Sequence, residues 1–530
     1  MANGYVSLIL HAHLPFIKHP ELSECPEEKW LFEAISETYM PLIDIFKRLT
    51  DDNINFKLTM TITPSLAAML SDNFLHERYN EYLDNMVKLT ELEIERTKDT
   101  KKMNKLAVMY NEKYRNDVYL FNDVYKRDLL SQFKLYKDKG NLEIITCGAT
   151  HGFLPLMTVT PESIRAQIGI GVKSFEHFFG DKPNGIWIPE CAYCRELDPY
   201  IKEFGLKYFI SETQTVLYSE PAPIWDSFSP ISTPNGVAIF PRDFEASNQV
   251  WNSAYGYPCH PNYREYYKDI GLELDYEYIK PFISPDGTRV QTGIKYHRVT
   301  GNDNKEIYNP ELAAKTAQEH ADEFIQSRIN QINVIADRMD KPPIIVCPFD
   351  AELFGHWWYD GPKWLEVFLR KSAKLNDTEF ELITPSEYLE KHPVLQVCEP
   401  APNSWGRWNY NNFWLNETND YMYRQLHSAS KLLTQLSDKF PNAEGELEFA
   451  LNQATRELLL AQSSDWAFIL TADIGSAYAR NIFKEHMDRF HKICADVSNN
   501  SIDSEWLNYI YSLDNIFPFV NYRIYTSKPM

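Results

Sequence analysis

The sequence predicts an α/β fold built as a barrel, with an all-helical insertion and a helical C-terminal domain, and three observations carry that expectation. Short apolar runs recur at 5–14, 56–63, 142–149, 185–190, 206–212, 236–243, 342–350 and 378–384. They are near-continuously apolar rather than alternating, as parallel strands covered on both faces must be. Helical patterns separate many of them, and strand alternating with helix defines the α/β class. With roughly seven or eight such strands, a barrel is favoured over an open sheet.

The first run, within MANGYVSLILHAHLPF, ends in His11 and His13 with no basic stretch before it, so it reads as a strand and not as a signal peptide or membrane span. Residues 65–139 contain no Gly and no Pro and are highly charged, which predicts an almost wholly helical stretch set between two barrel strands. Thr160-Pro161-Glu162 reads as an N-cap with Pro in the first turn, opening a helix to about residue 179. Helices are also expected at 310–339 and 362–375. From about residue 417 the strand pattern stops. Leu447, Ala450, Leu451, Ala454, Leu458 and Ala461 follow helical spacing, and 472–497 and 503–513 do the same. The expected division is a barrel from 1–74 and 140–395, a helical insertion at 75–139, and a C-terminal helical domain at 396–530 that contributes to the active cleft.

A formal charge of −21 over 530 residues repels phosphate backbones and anionic lipid, so neither nucleic acid nor a membrane surface is expected as a partner. The eight cysteines are scattered, mostly inside apolar segments, as in a reduced cytoplasmic protein. Cys191 and Cys194 form a C-x-x-C with no second pair, and packing explains them better than metal or redox chemistry.

In a barrel of this kind the active site lies at the C-terminal ends of the strands. Five runs end there in polar residues: His11-Ala12-His13, the segment delivering His151, Trp187-Ile188-Pro189-Glu190, Arg242-Asp243, and Pro348-Phe349-Asp350-Ala351-Glu352. A strand-end carboxylate can simply cap the next helix, and a neutral histidine can satisfy strand-end backbone groups. Against the capping reading, Glu190 lies beside Pro189, Cys191 and Tyr193, and Asp350 near His356, Trp357 and Trp358. Among such neighbours an idle charge is costly and one carboxyl is expected to stay protonated near neutral pH. Trp357, Trp358, Trp405, Trp408, Trp414 and Trp466 crowd the late chain beside Asn409, Asn411, Asn412 and Asp465. Aromatic faces beside amides and carboxylates suit sugars, which present flat C–H faces and hydroxyls.

These segments resemble glycoside hydrolase family 57, and within it the 1,4-α-glucan branching enzymes. The matching stretches are His11-Ala12-His13-Leu14-Pro15, residues 140–156 around His151, 187–193, 349–362 and 383–388, in the order of the family's five motif regions, and the resemblance runs nearly end to end. It implies a distorted (β/α)7 TIM-like barrel, no cofactor and no catalytic metal. It implies that Glu190 is the nucleophile and Asp350 the general acid/base of a retaining mechanism, with carboxyl groups about 5–5.5 Å apart. His11, His13 and His151 would line the donor sugar site, and Arg264, Trp251, Trp357, Trp405, Trp414 and Asp465 would fall along the glucan cleft. The implied partner is an α-1,4-glucan such as amylose or a glycogen-like polymer, and the implied reaction cleaves α-1,4 linkages and transfers the segment to a 6-hydroxyl as an α-1,6 branch.

Two departures from branching relatives stand out. Their Ser-Trp-Gly is usually followed by glycines, where this chain reads Ser404-Trp405-Gly406-Arg407-Trp408, and their loop over the cleft bears a Tyr where residues 219–234 here carry Phe228. Both changes would tilt the outcome from transfer towards hydrolysis, which keeps a mainly hydrolytic α-amylase or 4-α-glucanotransferase as the alternative within the family. Outside it, a His-x-His, a later His and a strand-end Asp (His11, His13, His151 and Asp350) could also serve as the zinc ligands of a metal-dependent amidohydrolase or polysaccharide deacetylase. A non-catalytic glucan-binding protein would keep the aromatics without turnover.

Overall fold

The computed structural model describes residues 3–284, 286–375, 379–406 and 410–528. Thr378, at the start of one predicted run, and Arg407, Trp408 and Asn409 of the aromatic segment lie outside the described residues.

Every predicted strand run contains a strand: β1 Gly4–Ala12, β2 Leu58–Ile62, β3 Leu142–Cys147, β4 Gly185–Trp187, β5 Tyr208–Ser211, β7 Ala238–Pro241, β8 Ile344–Asp350 and β9 Phe380–Leu382. Two short strands, β6 Ile231–Ser232 and β10 Gln396–Val397, complete the set among the described residues. Seven of them lie parallel in the spatial order β7-β5-β4-β3-β2-β1-β8, with β9 beside the first residues of β1 and with β6 and β10 outside β7. All nine residues of β1 are buried, which is why its sequence carries no polar alternation.

The sheet curls until β7 and β8 face each other. There the wall is closed by main-chain bonds from Asp243 N–H to the Val346 carbonyl at 2.8 Å and from Ile344 N–H to the Phe228 carbonyl at 2.9 Å. Ile344 and Val346 thus turn their backbone groups towards this seam. Pro348, two residues on in an alternating strand, points its missing donor the same way. A proline is tolerated in this strand because that side has no full ladder to lose. Phe228 is half-buried against the core. The segment before it is tied down by Ile224 N–H to Gln396 Oε1 at 2.7 Å and Gln396 Nε2 to the Ala222 carbonyl at 2.9 Å. Phe228 therefore stands beside the barrel seam.

The insertion is helical as its composition demands: Asn73–Arg96, Lys101–Tyr119 and Leu129–Asp138, the first capped by Asp72 accepting from Leu75 N–H at 3.1 Å. Helix Pro161–Phe179 begins where predicted, but Thr160 makes no side-chain cap; its hydroxyl instead faces that of Ser163 at 3.4 Å. The expected helices at 310–339 and 362–375 are Pro310–Ile335 and Gly361–Ser372. One feature escaped the sequence. Residues 252–309 contribute no barrel strand among those described; they lean on the insertion through Tyr110 OH to the Lys295 carbonyl, and Tyr278 and Tyr296 OH to Glu93, each at 2.7 Å. The C-terminal region forms helices Asp420–Lys439, Gly445–Ala461, Ser464–Ala472, Ser476–Asn499 and Ser504–Leu513. No described helix is long and apolar enough to cross a membrane.

Candidate active site

The polar strand ends converge on one rim. Parallel register sets His11 of β1 beside Asp350 of β8 and beside Thr61 of β2. Asp350 stands at the N-cap position of the turn Ala351–Leu353 but makes no side-chain cap bond there. Burial pushes its carboxyl well above the usual carboxylate range, reinforced by Glu352 and Glu190 and only partly opposed by Arg242.

Glu190 follows β4 in a left-handed backbone conformation, φ 60° and ψ 22°, unusual for any residue with a Cβ. Its side chain, nine-tenths buried, caps nothing. Trp405 Nε1 donates to its Oε2 at 2.6 Å and Ser464 Oγ to its Oε1 at 2.9 Å. The Trp405 N–H also donates to the Glu190 carbonyl at 3.0 Å. Burial raises its carboxyl to about 7, although both hydrogen bonds favour the charged form.

The three histidines form a stack beside it. The His11 ring lies on Trp187 with centroids 4.4 Å apart, and the His13 ring on His151 at 3.8 Å. His11 Nε2 and His151 Nε2 are 3.1 Å apart, and His151 Nδ1 meets Ser464 Oγ at 2.9 Å. Burial holds both His11 and His151 well below the ordinary imidazole value. His13 differs. Burial pulls it down, but the Asp465 carboxylate 3.0 Å from its Nε2 more than offsets this and holds it above the ordinary value. Asp465, in spite of its own burial, is brought down to about 2 by His13, helped by His151 and Ser463. Three donor atoms, one each from His13, His151 and Asp465, lie within 4.8 Å of one another, and Glu457, His486 and Asp514 form a second such trio among the C-terminal helices. In both, side chains are hydrogen-bonded to one another: His13 to Asp465, and His486 Nδ1 to Glu457 at 2.8 Å. The zinc set weighed from sequence used Asp350, which is in neither trio.

The remaining sequence candidates divide. Trp405 lies against both Glu190 and Trp187, the latter at 5.3 Å between centroids. Trp414 is buried and stacks on Phe153 at 4.9 Å. Trp251 and Trp357 are 42% and 50% exposed, enough to offer a face to a ligand, and Trp357 lies 4.8 Å from the Tyr266 ring. Arg264 is buried, with Glu37 3.7 Å from its guanidinium. It donates to Tyr110 OH at 3.1 Å and to the Gly293 carbonyl at 3.2 Å, and sits 3.7 Å over the Tyr359 ring. Those contacts join the insertion to residues 252–309. All eight cysteines are free, and burial raises the Cys194 thiol to about 12 and Cys191 well up, so neither behaves as a nucleophile or ligand.

Sequence reasoning missed Ser464, Tyr423 and Tyr39. Tyr423 of helix Asp420–Lys439 feels the Glu190 charge as well as burial, and both push its phenol up. Tyr39 OH donates to Glu352 Oε1 at 2.5 Å, and the same oxygen accepts from His13 N–H at 3.2 Å. Ser464 lies next to Asp465 in the sequence, the one nearby signal that could have found it. Arg242 was noted as a strand end; its guanidinium pairs with Glu212 at 2.8 Å and lies 5.9 Å from the Trp405 ring. Its neighbour Asp243 does what a strand-end carboxylate commonly does, capping helix Phe244–Trp251 through Ala246 N–H at 2.7 Å, while its other oxygen accepts from Gln331 Nε2 at 2.7 Å.

A parallel barrel whose strand ends hold one buried and one half-buried carboxyl beside histidines and tryptophan defines the class of barrel glycoside hydrolases. The chain belongs to glycosyl hydrolase family 57, whose profile matches residues 7–399; residues 425–525 match the profile of the 1,4-alpha-glucan branching enzyme C-terminal domain. A 1,4-alpha-glucan branching enzyme of Thermococcus kodakarensis is 31% identical over 99% of this chain and 79% of its own. The structure of that enzyme in complex with glucose superposes with a TM-score of 0.89, at 30% identity, covering 99% of this chain and 97% of the other. The structure described as a novel alpha-amylase, AmyC, from Thermotoga maritima gives a TM-score of 0.92 at 41% identity, covering 99% and 100%.

Proposed function

We propose that this enzyme cleaves α-1,4-glucan with retention and transfers the released segment to a 6-hydroxyl, forming α-1,6 branches. The observation that carries the reading is the pair of unequal carboxyls on one rim, Glu190 raised to about 7 and Asp350 raised well above its usual range, in a chain whose residues 425–525 match the branching-enzyme C-terminal profile. Environments that push two carboxyls apart assign their roles: the one that ionises first attacks, and the one that keeps its proton donates it.

Glu190 forms a bond to the anomeric carbon as the bond to the 4-oxygen breaks, and Asp350 passes its proton to that oxygen. The covalent glycosyl-enzyme has inverted configuration. Asp350, now a carboxylate, takes the proton of an acceptor 6-hydroxyl; the oxygen attacks the anomeric carbon and Glu190 leaves, restoring the α configuration. His11, His13 and His151 bind the donor sugar, and Trp251, Trp357, Trp405, Trp414 and Asp465 follow the glucan chain. Arg264 acts at a distance, by holding the insertion against residues 252–309. The substrate is an uncharged polymer, in keeping with a net charge of −21, and the free cysteines support a cytoplasmic site of action.

Incubation with amylose, followed by NMR of α-1,6 anomeric protons alongside a reducing-end assay, tests the reading. Growth of the α-1,6 signal with few new reducing ends supports transfer. Reducing ends without branch points would make water the acceptor and overturn it, a result that the likeness to an alpha-amylase makes worth measuring first.

A further inference from the structure

We infer that Ser464, brought to the barrel rim by the C-terminal helices, is a positioning residue for the nucleophile Glu190, ending a hydrogen-bonded relay that runs His11–His151–Ser464–Glu190. The inference rests on the reading of Glu190 as nucleophile and extends it to how that carboxylate is held in its attacking form.

The direction of the relay follows from valence. Glu190 as a carboxylate only accepts, so the Ser464 hydroxyl spends its single proton on Oε1, 2.9 Å away. His151 Nδ1, 2.9 Å from the same Oγ, must then be the N–H donor. His151 is neutral, because burial holds it well below the ordinary imidazole value, so its Nε2 is left as an acceptor. His11 Nε2, 3.1 Å away, must in turn carry its proton, which leaves Nδ1 of the equally neutral His11 as a bare lone pair; that atom is buried with no partner. Protonating Glu190 on Oε1 would require the relay to reverse and would place an unpaired N–H at the buried His11 Nδ1, the kind of orphan donor that folded proteins avoid most strictly; protonating it on Oε2 would weaken the bond that oxygen accepts from Trp405 Nε1. The relay therefore favours the ionised carboxylate, opposing the burial that raises it.

The backbone fixes Ser464 for this task. Its N–H donates to the His151 carbonyl at 3.1 Å, and Ser463 bridges Gly152. Gln462 Oε1 accepts from Gln167 Nε2 of helix Pro161–Phe179 at 3.0 Å. Three successive residues are thus anchored to the barrel.

The test compares Ser464→Ala, Ser464→Cys and Ser464→Thr with Glu190→Gln on amylose. Ser464→Ala is expected to lower kcat about 10- to 100-fold, the usual effect of one hydrogen bond to a reacting charge, with little change in KM. The acidic limb of the kcat/KM profile should move to higher pH. Ser464→Thr, which keeps the hydroxyl, should recover most of the activity. Ser464→Cys keeps the volume but donates weakly, and stands in if the alanine variant does not fold. Unchanged kcat and an unmoved pH limb in Ser464→Ala or Ser464→Cys, with Glu190→Gln inactive, would overturn the relay while leaving the nucleophile in place. An active Glu190→Gln would overturn both.

Discussion

Glu190 adopts a backbone conformation that costs a residue with a side chain on the order of 1–3 kcal/mol, and such strain persists only where the surroundings over-determine it. Here Trp405 and Ser464 grip both carboxylate oxygens. Replacing the grip separately from the carboxyl is informative. Glu190→Gln and Asp350→Asn should each remove activity by about 10³-fold or more with unchanged far-UV circular dichroism, since each deletes a chemical step. Trp405→Phe keeps the ring but loses the N–H, and should cost only about 10- to 100-fold in kcat. The pH profile follows from the same pair. Below about 7 Glu190 takes up its proton and kcat/KM should fall roughly tenfold per pH unit. On the alkaline side the rate falls as Asp350, itself held high by burial and by two neighbouring carboxylates, finally loses its proton. The two limbs belong to the interacting pair rather than to either residue. A profile flat down to pH 5 would contradict the burial-raised nucleophile. At this scale the sequence revealed what ends a strand and little else. Glu190 and Asp350 stood out as candidates because an unpaired charge after an apolar run is costly. Ser464 was not, because its partner is 274 positions away and a serine within a helical stretch carries no signal of its own.

The first turn of helix Ser464–Ala472 is the element on which the candidate site depends, and its Asp465 ties the C-terminal helices to β1 through His13. The pair gives a pH-dependent stability whose window can be worked out from its two shifts. His13 is held above its ordinary value, so its share is complete below about 6.5 and is lost as pH rises through the folded value. Asp465 is held down at about 2, so its share is present above about 4 and is lost as pH falls towards 2. Asp465→Asn should therefore destabilise the fold most between about pH 4 and pH 6.5, by about 1–3 kcal/mol. The gap to the parent should narrow on either side in denaturant titrations. Elements were the most readable level of the sequence. Each predicted strand run holds a strand because both faces of a parallel barrel strand are buried, and continuous apolar runs leave few alternatives. The stretch 65–139 could only be helical without Gly or Pro. What could not be read is how residues 252–309 settle, since their order comes from long-range tyrosine contacts such as Tyr296 to Glu93 rather than from periodicity.

Taken whole, the molecule carries its candidate active site across a seam between barrel and C-terminal helices, and the seam is buried. Gln167 reaches Gln462, Ser163 Oγ donates to Ser430 at 2.9 Å, and His427 Nε2 lies 2.6 Å from the Leu156 carbonyl. Helix Pro161–Phe179, half of this seam, also covers the barrel wall, where Gly171 comes so close to the Cys147 carbonyl of β3 that no side chain fits. The C-terminal helices hold Leu458, Leu459 and Trp466 fully buried, and Trp466 Nε1 is satisfied by the Leu460 carbonyl at 2.8 Å. Separating the two parts would strip apolar area from both at about 25 cal/mol per Å² and break the bonds that Gln167 and Gln462 make to each other and that Gln462 makes to Ser163. Neither part is then expected to outlast the other. Differential scanning calorimetry should show one transition in which the calorimetric and van't Hoff enthalpies agree. Gln462→Ala, at the centre of the seam, should lower that single transition as a whole. Two resolved peaks, or a Gln462→Ala shift confined to one of them, would mean that the helices fold independently and that Ser464 and Asp465 are delivered to the rim by docking after each part has folded.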